Sequence, residues 1–132
     1  MTVLLDDHLL RDWLGGADET LQHAIGGGAV ATTNPWYVRL CKGMAARRHT
    51  EVADRPDRER QALVARLVAL PDWVTVVPMR QLAWQMGELI RAHGGLSSLG
   101  AEAVASALTL DARVLVSSRN VGPGIERCCE AV

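Results

Sequence analysis

The chain has 132 residues, 48% of them hydrophobic, which fits one compact domain able to bury roughly two thirds of its unfolded surface. Its formal net charge of -1 gives no overall field that would hold nucleic acid or an anionic membrane, so such a partner must be met by a local patch. No basic segment precedes a long apolar core, and no uncharged run of ~20 residues lacks Gly, Pro and Asn. We therefore expect a cytoplasmic protein without a membrane span.

Short apolar runs alternate along the chain with longer stretches of helical periodicity. The predicted strands are residues 2–5, 29–33, 73–77 and 113–117. The predicted helices are residues 7–14 and 17–25, a helix that begins at Asn34, and residues 56–70, 81–93, 99–110 and 125–131. Asn34 is expected to cap the amides at the start of its helix, and Pro35 suits the first helical position because it has no amide that would need a partner. The helix over 56–70 is expected to bury Leu63, Val64, Leu67, Val68 and Leu70.

Strands separated by helices, with apolar runs too continuous for a half-exposed sheet, predict an α/β fold. We expect three layers, α/β/α, around a central parallel sheet of four or five strands. Ligands of such sheets bind outside the carboxyl ends of the strands. The polar residues expected there are 6–8, 32–34, 78–80 and 117–120.

Three stretches together resemble the PIN domain. They are residues 3–10 (VLLDDHLL), 96–108 (LSSLGAEAVASAL) and 112–120 (ARVLVSSRN). The resemblance covers essentially the whole chain, which it implies is a single PIN-like domain over 1–132. It implies relatives that are magnesium- or manganese-dependent nucleases, many of them toxin ribonucleases of bacterial toxin–antitoxin pairs, and that commonly dimerise. Such domains hold the metal with about four acidic side chains.

The resemblance matches only two of the four acidic positions to a carboxylate in this sequence. Asp6 matches the first acid, and Glu102 matches the acid early in the late helix. The second acid falls near Arg39, in a segment without carboxylates, and the fourth falls at Arg119 or Asn120. A hard divalent cation needs oxygen ligands, so a tight metal site is not expected. If Arg39 and Arg119 face Asp6 and Glu102, guanidinium groups replace the metal and the site is catalytically silent.

Several of these residues also have a purely structural interpretation. Asp7 is expected to cap the first helix, and Glu102 could simply favour the positive end of its own helix. Ser117 and Ser118 could bind a phosphate or merely end the last strand. The basic segment from Arg39 to His49 could touch RNA phosphates, although a solvated helix face is favoured. A redox role for Cys128 and Cys129 would need a lowered thiol pKa.

Three functions stay open at this point. The favoured one is a non-catalytic PIN-like domain that binds RNA, an antitoxin-like protein partner or its own copy as a homodimer. The second is an active Mg- or Mn-dependent endoribonuclease of toxin–antitoxin type, with Asp6 and Glu102 as residual catalytic and metal-binding acids. The third is a phosphate or nucleotide binder that uses the loop from Ser117 to Gly124. Contacts with nucleic acid or phosphate are expected from Arg39, Ser117, Arg119 and Asn120.

Overall fold

A computed structural model describes residues 1–16, 18–46, 57–118 and 123–131. The strands are β1 (Val3–Leu5), β2 (Val30–Thr32), β3 (Val74–Val76) and β4 (Arg113–Leu115). The helices are α1 (Asp7–Leu14), α2 (Glu19–Ile25), α3 (Asn34–Ala45), α4 (Asp57–Val68), α5 (Met79–Ala92), α6 (Ser98–Leu110) and α7 (Pro123–Ala131). Each strand is one or two residues shorter than predicted, because the sequence pattern extends beyond the residues that pair with a neighbouring strand.

The four strands form one parallel sheet in the order β3-β2-β1-β4. β1 lies inside the sheet, with Val3 beside Val30 on one side and beside Arg113 on the other. Helices flank the sheet, which confirms the predicted three-layer α/β/α fold with a parallel sheet of four strands in the described ranges.

The strand order explains why helices cover both faces. The chain moves from β1 to β2 to β3 in one direction and then crosses back past β1 to β4. Since crossovers between parallel strands are nearly always right-handed, a reversal of direction puts the later helices on the opposite face. The core agrees, because Val3 and Leu5 join the cluster with α1 to α4, whereas Leu4 packs with Ala103 of α6.

Two helix caps differ from the predictions. Asp6, not Asp7, caps α1, because the cap accepts a hydrogen bond from the amide three residues later, and Leu9 N–H donates to Asp6. In the same way Thr33, not Asn34, caps α3, since its hydroxyl accepts from the Trp36 amide. Both polar residues that were expected to be caps are thereby inside their helices.

The apolar stripe of α4 is narrower than predicted. Leu63 and Leu67 are buried, but Val68 is 80% exposed, so the prediction for Val68 was wrong.

Residues 47–56, which precede this helix and include Arg47 and His49 of the basic segment, lie outside the described residues. Within the described ranges, every helix is too short or too polar to cross a bilayer.

Candidate functional site

The candidate site lies at the carboxyl ends of the strands, where β1 and β4 are neighbours. The chain leaves β1 towards β2 and later returns on the other side of β1 to form β4. The segments that follow β1 and β4 therefore lead to opposite faces of the sheet, and the position between them, here called the crevice, is the usual ligand position in an open parallel sheet. Asp6 directly follows β1, and Ser117 closely follows β4.

The Asp6 carboxylate joins the two sides of this crevice. Asp6 is fully buried; its Oδ1 accepts the Leu9 N–H at 2.9 Å and its Oδ2 accepts the Ser117 N–H at 2.7 Å. Hydrogen bonds from backbone amides to an ionised carboxylate are short and strong. Both oxygens of Asp6 thus fix the backbone, one at the start of α1 and the other after β4.

Glu102 is the second buried acid. It is fully buried, and its Oε1 accepts a hydrogen bond of 2.6 Å from the Asn34 side-chain amide. The same amide nitrogen also donates a hydrogen bond of 3.0 Å to the Val77 carbonyl oxygen. No acidic residue lies in the first turn of α6, so stabilisation by the helix N-terminus does not account for Glu102. Asn34 instead connects α3, the end of β3 and α6.

Two buried oxygens of the site lack a hydrogen-bond partner in the described residues. Glu102 Oε2 and Ser117 Oγ are both buried, and neither has a hydrogen-bond partner among the residues that the structure describes. The Thr32 hydroxyl, by contrast, donates to the Leu5 carbonyl at 2.8 Å. A buried carboxylate oxygen favours a donor or a cation, and a buried hydroxyl can donate and accept. Glu102 Oε2 and Ser117 Oγ therefore each retain hydrogen-bonding capacity that Asp6, with both oxygens bound to amides, does not.

Asp7 and His8 lie at the start of α1, next to Asp6. Asp7 is buried, and its Oδ2 is 3.9 Å from His8 Nε2, too far for a hydrogen bond. In the described ranges, no three His, Cys, Asp or Glu side chains come together as a group that could hold a metal ion.

The cationic residues assigned to the site are placed only in part. Arg39 is on α3 with an exposed side chain, whereas Asp6 and Glu102 are fully buried. Arg119 and Asn120 lie outside the described residues, as do Val121 and Gly122 of the predicted phosphate loop. The replacement of metal by guanidinium groups stays a prediction, while the group that binds Glu102 is the amide of Asn34.

The role of Asn34 was missed by sequence reasoning. Asn34 and Glu102 are 68 residues apart in the chain, so no local pattern joins them. One signal was present: Asn34 belongs to the polar residues that follow a predicted strand, where site residues of a parallel sheet lie.

Burial raises the pKa of the Cys128 thiol, and burial and the neighbouring Cys128 raise the pKa of Cys129. An activated thiolate requires a lowered pKa, so neither cysteine has the environment of a redox nucleophile.

Compared with known proteins, the chain matches no protein-family model, and a search of curated proteins finds no significant match. The PIN resemblance accordingly depends on the three stretches quoted above.

Proposed function

We propose that the chain is a PIN-like domain with a degraded nuclease site, which acts in the cytoplasm without catalysis by binding RNA or a protein partner. One observation carries this proposal: the two matched acids are used as structural acceptors. Asp6 binds two backbone amides and Glu102 binds the Asn34 amide, and both side chains are fully buried.

A metal-dependent hydrolase makes different demands on its acids. The carboxylates must hold the ion and orient the attacking water, so they need free lone pairs directed at a shared point. Here both oxygens of Asp6 and one oxygen of Glu102 accept from protein donors, which leaves only Glu102 Oε2 of the four without a donor in the described residues. The resemblance matches no further acid. Asp6 and Glu102 could hold Mg²⁺ or Mn²⁺ only weakly, through intervening waters.

An active Mg- or Mn-dependent endoribonuclease of toxin–antitoxin type is the second candidate. It is favoured by Glu102 Oε2 and Ser117 Oγ, which are buried and lack partners in the described part of the chain. In this function Glu102 would contribute its second oxygen to the ion, and Asp6 would remain the acid on which cleavage depends.

Incubation of the protein with a fluorescently labelled single-stranded RNA in about 1 mM Mn²⁺ or Mg²⁺ separates the two candidates. We expect no metal-dependent cleavage and no rise in Tm, since a ligand raises Tm only when it binds the native state well below its working concentration. The matched variants are Asp6→Ala and Asp18→Ala, because Asp18 caps α2 away from the crevice. Cleavage that Asp6→Ala abolishes and Asp18→Ala preserves would contradict the proposal and establish the nuclease.

A further inference from the structure

The outer face of α5 carries an unusually exposed tryptophan. Trp84 is 82% exposed, whereas Trp36 in α3 is fully buried. Tryptophan is strongly buried on average in folded proteins, and it is enriched at binding interfaces. Gly87 lies one turn further along α5, and a Cβ added there would meet nothing within 4 Å. The surface on the C-terminal side of Trp84 is therefore open.

Two arginines lie on the same helical face as Trp84. Arg80 is one turn before it and Arg91 two turns after it, a spacing that aligns side chains along an α-helix. Both are exposed, and neither makes an ion pair or hydrogen bond with the residues that the structure describes. At a rise of about 1.5 Å per residue, the two are about 16 Å apart along the helix axis. Glu88 is also exposed here, so the two arginines give this face a net positive charge.

The N-terminal end of this face lies at the carboxyl edge of the sheet, beside β3. α5 begins directly after Pro78, and the preceding Val77 carbonyl accepts the Asn34 amide that also holds Glu102. Arg80, in the first turn of α5, lies at the same edge of the sheet as the candidate site. A chain bound along α5 would run from Arg91 past Trp84 towards the carboxyl edge of the sheet.

We propose that the Arg80–Trp84–Arg91 face of α5 binds single-stranded RNA, with a base stacked on the Trp84 ring and phosphates contacted by the two guanidinium groups. This inference rests on the proposed binding function and selects RNA as the partner. Aromatic rings stack on bases of any sequence, and nearby cations neutralise the backbone, so this combination is typical of single-strand binders.

A second copy of the chain fits this face less well. An antiparallel pairing of α5 with itself, centred on Trp84 and Gly87, would set Arg80 opposite Arg91 of the second copy. Like charges brought together at an interface disfavour association. A phosphate chain carries the opposite charge and so uses both arginines.

The test is fluorescence anisotropy with a labelled uridine homopolymer of about ten nucleotides and the intact protein. Loss of the stacked ring in Trp84→Ala should weaken binding about tenfold, whereas Trp84→Tyr, which keeps an aromatic face, should bind within about threefold of wild type. Arg80→Gln and Arg91→Gln should each reduce the slope of log K against log salt by about 0.7. The matched control is Arg58→Gln on the exposed surface of α4, which should leave affinity and slope unchanged.

Three results would overturn the inference. They are no RNA binding by wild type, equal binding by Trp84→Ala, and a dimer that Trp84→Ala converts to monomer in sedimentation. Each leaves the non-catalytic function standing, since a protein partner or a second copy satisfies it. Metal-dependent cleavage, in contrast, would remove the proposed function while Trp84 could still bind the strand.

Discussion

The Asn34 side chain is the donor that keeps the Glu102 carboxylate inside the protein. Glu102 is fully buried, and the Asn34 amide donates to it at 2.6 Å. A buried charge is costly to desolvate, and removal of its partner leaves that cost uncompensated. The Asn34–Glu102 hydrogen bond should consequently contribute more to stability than the usual bond between neutral groups.

Replacement of Asn34 by alanine should lower the free energy of unfolding by about 3 kcal/mol, because it leaves a buried carboxylate without its donor. Addition of Glu102→Gln should recover about 1 kcal/mol or more of that loss, since the charge is gone. Urea denaturation of the two single variants and the double variant measures this coupling. Glu59→Gln, at an exposed site on α4, is the control and should be additive with Asn34→Ala. Additivity in the Asn34/Glu102 pair as well would show that the two side chains do not depend on each other.

The sequence identified Asp6 by its place after an apolar run, but not the donors that bind it. Ser117 is 111 residues away, and its amide reaches Asp6 only because β1 and β4 pair. The sequence also did not show which of Asp6 and Asp7 caps α1, since either residue type is suitable at that position. Contacts between distant parts of the chain therefore decided the roles of the site residues.

α6 is a helix of small residues that lies close against the sheet. Ala103 is fully buried in a cluster with Leu4, Ala31 and Trp36. Gly100, on the same helix, would place a Cβ 2.9 Å from Leu96 Cδ1 and 3.0 Å from Ile125 Cγ1. Small residues thus allow α6 to approach both the sheet and α7, and this approach brings Glu102 within hydrogen-bond distance of Asn34.

Ala103→Leu should lower the free energy of unfolding by about 1–3 kcal/mol, since extra methylene groups cannot enter a filled core without displacing their neighbours. The control is Ala83→Leu, which makes the same change on the exposed side of α5 and should alter stability by less than about 0.5 kcal/mol. Chemical denaturation of both variants provides the comparison. A neutral Ala103→Leu would mean that α6 can move away from the sheet.

Element boundaries were predicted best where strong local signals exist. α1 has the predicted bounds, because Gly15 and Gly16 end a clear apolar period. The strands were predicted one or two residues too long, since pairing ends where a neighbour ends and composition does not reveal this. The amphipathic pattern of residues 56–70 places Val68 in the apolar stripe, although only Leu63 and Leu67 of α4 are buried.

The three cysteine thiols, one in α3 and two in α7, make the free energy of unfolding depend on pH. Burial raises the pKa of Cys41 in α3 and of Cys128 in α7, and burial and Cys128 raise that of Cys129. A thiol whose pKa is raised by folding keeps its proton longer in the native state than in the unfolded state. The unfolded state therefore loses protons first, and folding stability falls as pH rises.

We expect the free energy of unfolding to be unaffected by the thiols below about pH 8.5, the usual range of a thiol pKa, and to decrease above it. A variant with all three cysteines replaced by alanine should lose this decrease between about pH 8.5 and 10, where Tyr37, whose pKa is also raised by burial, begins to contribute. Denaturation curves at several pH values compare the two proteins. An equal decrease in both would assign the effect to other groups.

The position of β1 within the sheet also affects how the protein folds. β1 can pair with β2 as soon as residues 30–32 are available, but its other edge stays open until residues 113–115 arrive. Pairing between such distant segments is slow, because a long loop must close before the contact stabilises anything. During synthesis, the exposed edge of β1 is therefore a place where a nascent chain could pair with the wrong strand. The same hydrogen bond from Ser117 to Asp6 that organises the crevice can form only in the last stage of folding.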